Sequence, residues 1–262
     1  MSFKQKIERC AGKAKSNIIL ALDLQPDEPN LLLSKSMKIL EAVHPYICAL
    51  KINRQLVLPL GLFNGVQTIV NRAHDLGLVT IMDAKINDIG NTNRVIAEYY
   101  YKTGFDAVIA SPFIGWEEGL QPIFDIAQKM NRGVILLVYM SHKGAVEGYG
   151  QIVQDSTTQK SVSQYRIFAQ KALKWKADGA VVGATVPDKI REVKALLKDE
   201  VPIYSPGIGA QGGDIEAALR AGAKYLIVGR AIVEAKDPAK AAEQIKDIAW
   251  QSLRNEGPTE SE

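Results

Sequence analysis

Eight short runs of apolar, largely β-branched residues recur along the chain, and longer segments with helical periodicity separate them. Apolar residues that return every three or four positions predict amphipathic helices, for example over residues 31–43 and 213–223. The predicted strands span residues 17–23, 46–52, 78–85, 105–111, 133–140, 179–185, 201–207 and 224–230. Strands that alternate with helices in this way indicate βαβ units and a parallel sheet.

The number of strand–helix units predicts how the sheet is arranged. Eight units in 262 residues favour a closed (β/α)8 TIM barrel over an open, doubly wound sheet, because such barrels have about 250 residues. No linker divides the units, so we predict an α/β protein with a single catalytic domain over residues 1–253. Residues 254–262 are polar and lack periodicity, and we expect them to form a flexible C-terminal tail.

Composition and charge narrow the class of protein and its location. The chain is 47% hydrophobic and 23% charged, as soluble proteins with a large core are, and its net charge of +3 is too small to indicate nucleic acid or a membrane as a partner. Cys10 and Cys48 lack metal-binding spacing and predict a reducing compartment. The N-terminal segment has no apolar signal region, and the longest apolar run, residues 134–140, is too short to span a bilayer. We therefore predict a cytoplasmic protein.

Charged residues stand at the ends of the first three predicted strands: Asp23, Lys51, and the pair Asp83 and Lys85. The active sites of (β/α)8 barrels lie at the C-terminal ends of the strands. Because side chains alternate along a strand, Asp83 and Lys85 share one face. Charges inside a barrel are costly unless they are paired, so an ion-pair network that only caps the core is one interpretation. A catalytic cluster is the interpretation that we favour.

Two loops near the C-terminus predict a phosphate site. Residues 207–212, GIGAQG, match G-x-G-x-x-G between a strand and a helix, a pattern that also occurs in dinucleotide-binding folds. Here it follows the seventh strand, where (β/α)8 barrels commonly bind phosphate, and not the first βα unit as in those folds. The eighth strand adds Gly229, which permits close backbone approach, and Arg230, which can bind phosphate oxygens. Tight-turn geometry alone is the alternative explanation of the glycines.

The loop after the fifth strand, residues 141–151, is polar, punctuated by glycine and long enough to cover a ligand. Ser141 at its start either hydrogen-bonds a ligand or caps a turn, and the sequence alone leaves both open. The chain has three histidines and no histidine cluster that predicts a transition-metal site. It also lacks the G-x-S-x-G motif of serine hydrolases.

Taken together, these segments resemble the orotidine 5′-monophosphate decarboxylase family. The most specific segment is DAKINDIGNT (83–92), which is similar to the family signature D-x-K-x-x-D-I-x-x-T. Supporting segments are ALDL (21–24), LKI (50–52), MSHKGA (140–145), SPGIGAQGGD (205–214) and VGRAI (228–232). Related sugar-phosphate decarboxylases and synthases share D-x-K-x-x-D, but the IGNT continuation and the lid favour the decarboxylase. Some members have proline where Gly90 stands, a difference that affects loop stiffness more than chemistry.

The resemblance implies a mechanism for converting orotidine 5′-monophosphate (OMP) to uridine 5′-monophosphate (UMP) and CO₂ in pyrimidine biosynthesis. Lys51, Asp83, Lys85 and Asp88 would form an alternating charged array at the reacting carbon. In this array, Asp83 would disfavour the substrate carboxylate, while Lys85 would stabilise and protonate the carbanion. Asp23 and Lys51 would hold the ribose hydroxyls. No organic cofactor or metal is implied.

The resemblance also implies a homodimer with shared active sites. The loop that carries Asp88 and Thr92 would reach the site of the partner subunit. Ser141 would contact the pyrimidine edge, and Gln211 would link the lid to the phosphate. Gly229 and Arg230 would hold that phosphate.

Two other functional classes remain open on the sequence. One is a magnesium-dependent sugar-phosphate decarboxylase or aldolase, in which Asp83 would bind the metal. The other is a non-catalytic sensor of phosphorylated ligands built on a barrel. Loss of OMP absorbance on addition of the purified protein would distinguish all three.

Overall fold

The structure is a computed structural model that describes residues 1–155, 158–209 and 211–255. Residue 210, within the predicted phosphate loop, lies outside the described residues. Of the predicted C-terminal tail, residues 256–262 also lie outside them, whereas residues 254 and 255 complete the last helix.

Eight parallel strands close into a barrel, which confirms the predicted fold. Each barrel strand coincides with a predicted apolar run, with ends that differ by a few residues. The strands are β1 (Ile18–Ala21), β2 (Ala49–Asn53), β3 (Val79–Ile86), β4 (Ala107–Ala110), β5 (Gly133–Tyr139), β6 (Ile152–Gln154), β7 (Ser161–Ser163), β8 (Gly179–Val182), β9 (Ile203–Pro206) and β10 (Tyr225–Val228). Within the barrel the order is β1-β2-β3-β4-β5-β8-β9-β10, and β10 pairs with β1.

Helices surround the barrel and cover its outer face. They are α1 (Phe3–Ala14), α2 (Pro29–Val43), α3 (Arg54–Leu60), α4 (Gln67–Asp75), α5 (Gly90–Thr103), α6 (Gln121–Met130), α7 (Ala145–Gly148), α8 (Gln164–Lys174), α9 (Pro187–Leu197), α10 (Ile215–Arg220), α11 (Arg230–Val233) and α12 (Pro238–Asn255). Helical segments of 3-10 or π type occupy His44–Tyr46, Gly61–Val66, Pro112–Ile114 and Trp116–Leu120. Side-chain caps fix several helix starts; for example, Asp214 accepts a hydrogen bond from the Ala217 backbone at the start of α10, with an N–O distance of 2.7 Å.

The apolar core has two parts. One lies between the barrel and its helices, and the other fills the barrel interior with side chains such as Ile19, Ile81, Ile135 and Ile227. This interior packing holds the strands at fixed positions, so the polar residues at their C-terminal ends are carried by a rigid frame.

Helix α1 closes the end of the barrel opposite those polar residues. Phe3 and Ile7 are buried in the interior core, and the Lys6 ammonium pairs with Asp106, just before β4, at 3.0 Å. A Cβ atom on Gly133, the first residue of β5, would lie 2.5 Å from Cγ of Phe3, so only glycine leaves room for this ring. The barrel therefore has a closed floor and an open mouth.

A short hairpin, β6–β7, interrupts the regular alternation between β5 and α8. Its strands pair antiparallel, with Val153 opposite Val162, and they lie outside the barrel. The sequence pattern did not predict it, because each strand has only three residues and much of the hairpin is exposed.

Candidate active site

The mouth of the barrel contains a cavity of about 540 Å³. The charged residues predicted at the strand ends form part of its lining, namely Asp23, Lys51, Asp83 and Lys85. The predicted lid and phosphate residues that face the same space are Ser141, Gln211, Gly229 and Arg230. Eight of the ten residues predicted from sequence therefore meet in one cavity.

Asp83 is the centre of the charged group. Its Oδ2 accepts a hydrogen bond from Nζ of Lys51 at 2.9 Å, and its Oδ1 accepts one from Nζ of Lys85 at 2.6 Å. The side chains of Lys51 and Asp83 are only 5% and 12% exposed, whereas that of Lys85 is 33% exposed. Lys51, Asp83 and Lys85 form the charged array of this cavity. The Lys51–Asp83 pair is buried and fixed, whereas a ligand can reach the ammonium group of Lys85.

The shifted pKa values of Asp83 and Lys51 keep both side chains charged. Burial would raise the pKa of Asp83, but the ammonium groups of Lys51 and Lys85 outweigh burial and lower it below its usual range. Burial would likewise lower the pKa of Lys51, but the carboxylates of Asp83 and Asp23 raise it above its ordinary value. Asp83 therefore remains a carboxylate and Lys51 an ammonium at neutral pH.

The backbone of Lys85 is in the left-handed region, with φ at +48°, which is costly for a residue with a side chain. The pairing of β3 with β4 shifts register between Met82 and Ile86, so a bulge surrounds this residue. The predicted contact between Asp83 and Lys85 is present, but regular strand alternation is not what creates it. The bulge sets the direction of the Lys85 side chain.

Asp23 lies beside the array, just after β1. Its Oδ1 is 3.9 Å from Nζ of Lys51 and accepts a shorter hydrogen bond, 2.6 Å, from Nδ2 of Asn53. Its Oδ2 lies 3.6 Å from the position that a Cβ atom on Gly229 would occupy. The absence of a side chain at Gly229 leaves this oxygen room for a ligand.

Ser141 and Gln211 join the lid to the loop after β9. The Ser141 hydroxyl donates a hydrogen bond to Oε1 of Gln211 at 2.6 Å, and the Ser141 carbonyl accepts one from the Thr185 hydroxyl at 2.8 Å. A Cβ atom on Gly183 would lie 2.6 Å from Cα of Ser141, and one on Gly207 would lie 3.0 Å from its Cβ. Glycine at both positions therefore lets the lid approach the barrel wall.

Arg230 begins α11 and is exposed at the cavity wall, and it forms no ion pair within the described part of the chain. Nearby, Gly207 and Gly209 have φ values of +100° and +70°, which glycine adopts at little cost. An unpaired guanidinium beside a glycine loop is suited to binding an anion.

The structure does not bring Asp88 and Thr92 into this cavity. Asp88 is exposed, and its Oδ1 accepts a hydrogen bond from the Ile89 backbone at 2.7 Å. Asn93 donates hydrogen bonds to the carbonyls of Asp88 and Gly119, which attaches the loop to the segment that precedes α6. Neither Asp88 nor Thr92 contributes to the cavity lining of its own chain.

Four polar residues that the sequence analysis did not assign to the site also line the cavity: Gln25, Asn53, Gln55 and His142. Strand alternation could have identified Asn53, because it lies two residues after Lys51 on β2 and therefore on the same face. The glutamines carry no comparable signal, because they lie in loop and helix segments where sequence spacing does not fix direction.

The described part of the chain contains neither a cluster of metal-binding side chains nor a membrane-spanning helix. Across the described ranges, no group of three or more His, Cys, Asp or Glu side chains is arranged to hold a metal ion. In the same ranges, no helix is both long enough and apolar enough to cross a membrane.

The closed barrel is that of a (β/α)8 protein. Its mouth, at the C-terminal ends of the strands, contains a cavity lined by ionisable side chains. The chain belongs to the orotidine 5′-phosphate decarboxylase / HUMPS family, whose model matches residues 16–245. This membership agrees with the resemblance drawn from the sequence.

Individual relatives cover nearly the whole barrel. The orotidine 5′-phosphate decarboxylase of Pyrococcus furiosus is 36% identical over 228 residues, which are 87% of this chain and 95% of the relative. The one from Pyrococcus abyssi is 34% identical over 231 residues, which are 88% and 97% of the two chains.

Solved structures agree with this comparison. The crystal structure of an orotidine 5′-monophosphate decarboxylase from Methanocaldococcus jannaschii, complexed with the inhibitor BMP, matches with a TM-score of 0.74 and 31% identity, covering 89% of this chain and 98% of that one. The OMP decarboxylase of Leishmania donovani matches with a TM-score of 0.83 and 25% identity, covering 96% and 99%.

Proposed function

We propose that this protein is an orotidine 5′-monophosphate decarboxylase, a carboxy-lyase that converts OMP to UMP and CO₂ in pyrimidine biosynthesis. The observation that carries the proposal is the Asp83 carboxylate held between Lys51 and Lys85, with Lys85 open to the cavity. The relatives that carry the decarboxylase name support the same activity. The magnesium-dependent and non-catalytic alternatives lack a comparable observation.

The chemistry follows from the charges of the array. A substrate carboxylate placed beside Asp83 meets a like charge, which the ammonium groups of Lys51 and Lys85 keep ionised although the carboxylate is buried. This repulsion falls as the carboxylate leaves as neutral CO₂, so it favours the transition state over the bound substrate. The carbon–carbon bond breaks, and its electron pair remains on the ring carbon. The Lys85 ammonium stabilises that carbanion and donates its proton to the same carbon.

The remaining cavity residues would hold the nucleotide. Asp23 and Lys51 would bind the ribose hydroxyls, and Ser141 would bind the pyrimidine edge. Gln211, Gly229 and Arg230 would bind the phosphate; the unpaired Arg230 guanidinium at the cavity wall supports this assignment. Binding energy from the phosphate, which is remote from the reacting carbon, can then position the substrate carboxylate against Asp83.

We also propose that the enzyme is a homodimer in which Asp88 and Thr92 complete the active site of the partner subunit. The position of both residues outside their own cavity supports this proposal. So does an apolar surface formed by neighbouring elements: Leu58 is 84% exposed, Ile89 is 64% exposed, and the rings of Phe63 and Tyr99 make an edge contact at 5.9 Å. Exposed apolar patches of this kind indicate protein–protein interfaces.

A cytoplasmic location is part of the same proposal. Cys10 and Cys48 are free thiols, which suits a reducing compartment.

The test of the activity is the loss of OMP absorbance with the purified protein, with UMP and CO₂ identified by mass. Lys85→Ala should lower turnover by about three orders of magnitude or more, because it removes both the proton donor and the stabilising charge. UMP should still bind, because the proposed phosphate residues are intact.

Lys129→Ala is the matched control, because Lys129 is an exposed lysine on α6 that does not line the cavity. This variant should turn over OMP like the wild type. No OMP consumption by the wild type would exclude the proposed activity, and wild-type turnover by Lys85→Ala would exclude Lys85 from the mechanism.

A further inference from the structure

Asn53 contacts both the candidate active site and helix α3. It is the last residue of β2, and its Oδ1 accepts a hydrogen bond from the Gln55 backbone at 2.8 Å, which caps α3. Its Nδ2 donates a hydrogen bond to Oδ1 of Asp23 at 2.6 Å. One side chain therefore connects the start of α3 to a carboxylate that lines the cavity.

The helix cap determines which way the Asn53 amide faces. Because a backbone N–H is a donor, the atom that meets Gln55 must be the amide oxygen. The NH₂ group is then left to face Asp23, and a carboxylate can only accept from it. The orientation of the amide thus follows from the start of α3 and needs no ligand.

The hydrogen bond between Asn53 and Asp23 also determines how the neighbouring charged residues pair. Oδ1 of Asp23 is occupied by Asn53 and remains 3.9 Å from Nζ of Lys51, while Lys51 makes its closer contact, 2.9 Å, with Asp83. Without the amide, the Asp23 carboxylate would be free to rotate toward the Lys51 ammonium and compete with Asp83 for it. Oδ2 of Asp23 is the oxygen that Asn53 leaves for a ligand.

We propose that Asn53 is a positioning residue that fixes the Asp23 carboxylate so that Oδ2 accepts a ribose hydroxyl and Lys51 remains with Asp83. The proposal rests on the proposed function, because it assumes that the ligand is a ribonucleotide. Asn53 acts through Asp23 in this account and needs no contact of its own with the ligand.

Two substitutions separate the roles of Asn53. Asn53→Ser retains a good helix cap but is too short to cap α3 and reach Asp23 together, whereas Asn53→Ala loses both contacts. Asn53→Ser should therefore unfold at the wild-type temperature and bind UMP about tenfold more weakly, the scale of one lost hydrogen bond to a charged group. Its KM for OMP should rise more than its kcat falls.

A double-mutant cycle with Asp23→Ala measures whether the two residues act together. In that background, Asn53→Ser should change UMP affinity less than about twofold, because the group that it positions is absent. A uridine phosphate that lacks the ribose hydroxyl bound by Asp23 should also be insensitive to Asn53→Ser.

The outcomes distinguish this proposal from the proposed function. If wild-type protein neither consumes OMP nor binds UMP, the proposed function is wrong. If the wild type is active, wild-type UMP affinity in Asn53→Ser overturns the positioning role. So does an equal tenfold loss with Asp23 present and absent, since Asn53 would then act independently of it.

Discussion

Lys85 has one property that the sequence predicts and one that only the structure shows. Its position at the end of an apolar strand predicted a role in the site, but its backbone conformation became visible only in the structure. The left-handed φ of +48° costs about 1–2 kcal/mol for an ordinary residue. The fold therefore carries a strained residue at the point where the array opens to the cavity.

This strain makes a prediction about stability. Lys85→Gly and Lys85→Ala both remove the ammonium, but only glycine relieves the backbone, so the glycine variant should be more stable by about 1 kcal/mol. Urea unfolding of the two variants provides the comparison. At Lys38, an exposed residue in the middle of α2, the order should be reversed, because glycine destabilises a helix interior by about 1 kcal/mol relative to alanine. A glycine variant at Lys85 less stable than the alanine variant would show that the backbone is not strained there.

Among individual residues, the charged ones were easier to predict from the sequence than Asn53. Asp23, Lys51 and Asp83 were identified because a charge that ends an apolar strand is conspicuous in any sequence. An uncharged asparagine before a helix predicts only a cap, so the contact of Asn53 with Asp23 is not evident from its residue type. Its second role depends on β1 and β2 being neighbours, and a pairing between strands cannot be read from either strand alone.

At the scale of the secondary structure elements, the sequence predicted the eight barrel strands because each is buried and rich in branched apolar residues. It did not predict the bulge in β3 or the β6–β7 hairpin. The bulge depends on the partner strand β4, and the hairpin strands are too short and exposed to leave an apolar pattern. Local patterns therefore predicted the frame of the barrel and missed the irregularities at its mouth.

Helix α1 provides a prediction for a single element. Phe3→Ala should destabilise the protein by about 3–5 kcal/mol, because it empties a fully enclosed space in the barrel floor. Denaturant unfolding measures the loss, while UMP affinity should be unchanged, because the cavity lies at the other end of the barrel. Phe113→Ala is the control, since that ring is largely exposed and should cost far less. Equal losses for the two variants would mean that α1 does not close the floor as described.

At the scale of the whole molecule, the charged residues at the mouth of the barrel and those at its floor form two separate networks of ion pairs and hydrogen bonds. At the floor, Asp106 pairs with Lys6 and Arg132 and accepts a hydrogen bond from His74. Burial would raise the pKa of Asp106, but hydrogen bonds from His74, Lys6 and the Thr80 backbone lower it far below its usual value. These contacts join α1 and α4 to the starts of β3, β4 and β5, and none of them reaches the cavity at the mouth.

The proposed dimer makes a prediction that concerns two chains at once. Lys85→Ala and Asp88→Ala chains, each nearly inactive alone, should regain activity when they are dissociated together and reassociated. Half of the dimers formed at random are mixed, and each mixed dimer has one site with both defects and one site with none. Activity should return to about one quarter of the wild-type level.

The control for that experiment pairs Lys85→Ala with Asp83→Ala. Both residues line the cavity of their own chain, so every site in a mixed dimer carries a defect and activity should stay low. Mass measurements establish that mixed dimers have formed. If the Lys85→Ala and Asp88→Ala mixture also stays inactive, Asp88 does not serve the partner subunit.

The closed floor also has a consequence for the order of events during synthesis. Helix α1 precedes every strand, yet Lys4 donates a hydrogen bond to the carbonyl of Glu200 at 2.9 Å, and Glu8 pairs with Lys224 at 2.6 Å. Neither partner has been translated when α1 leaves the ribosome. These two contacts of α1 can therefore form only after residues 200 and 224 have been synthesised. Helix α1 is therefore made before the segments that it contacts, and chaperones that shield nascent chains would meet its apolar face during that interval.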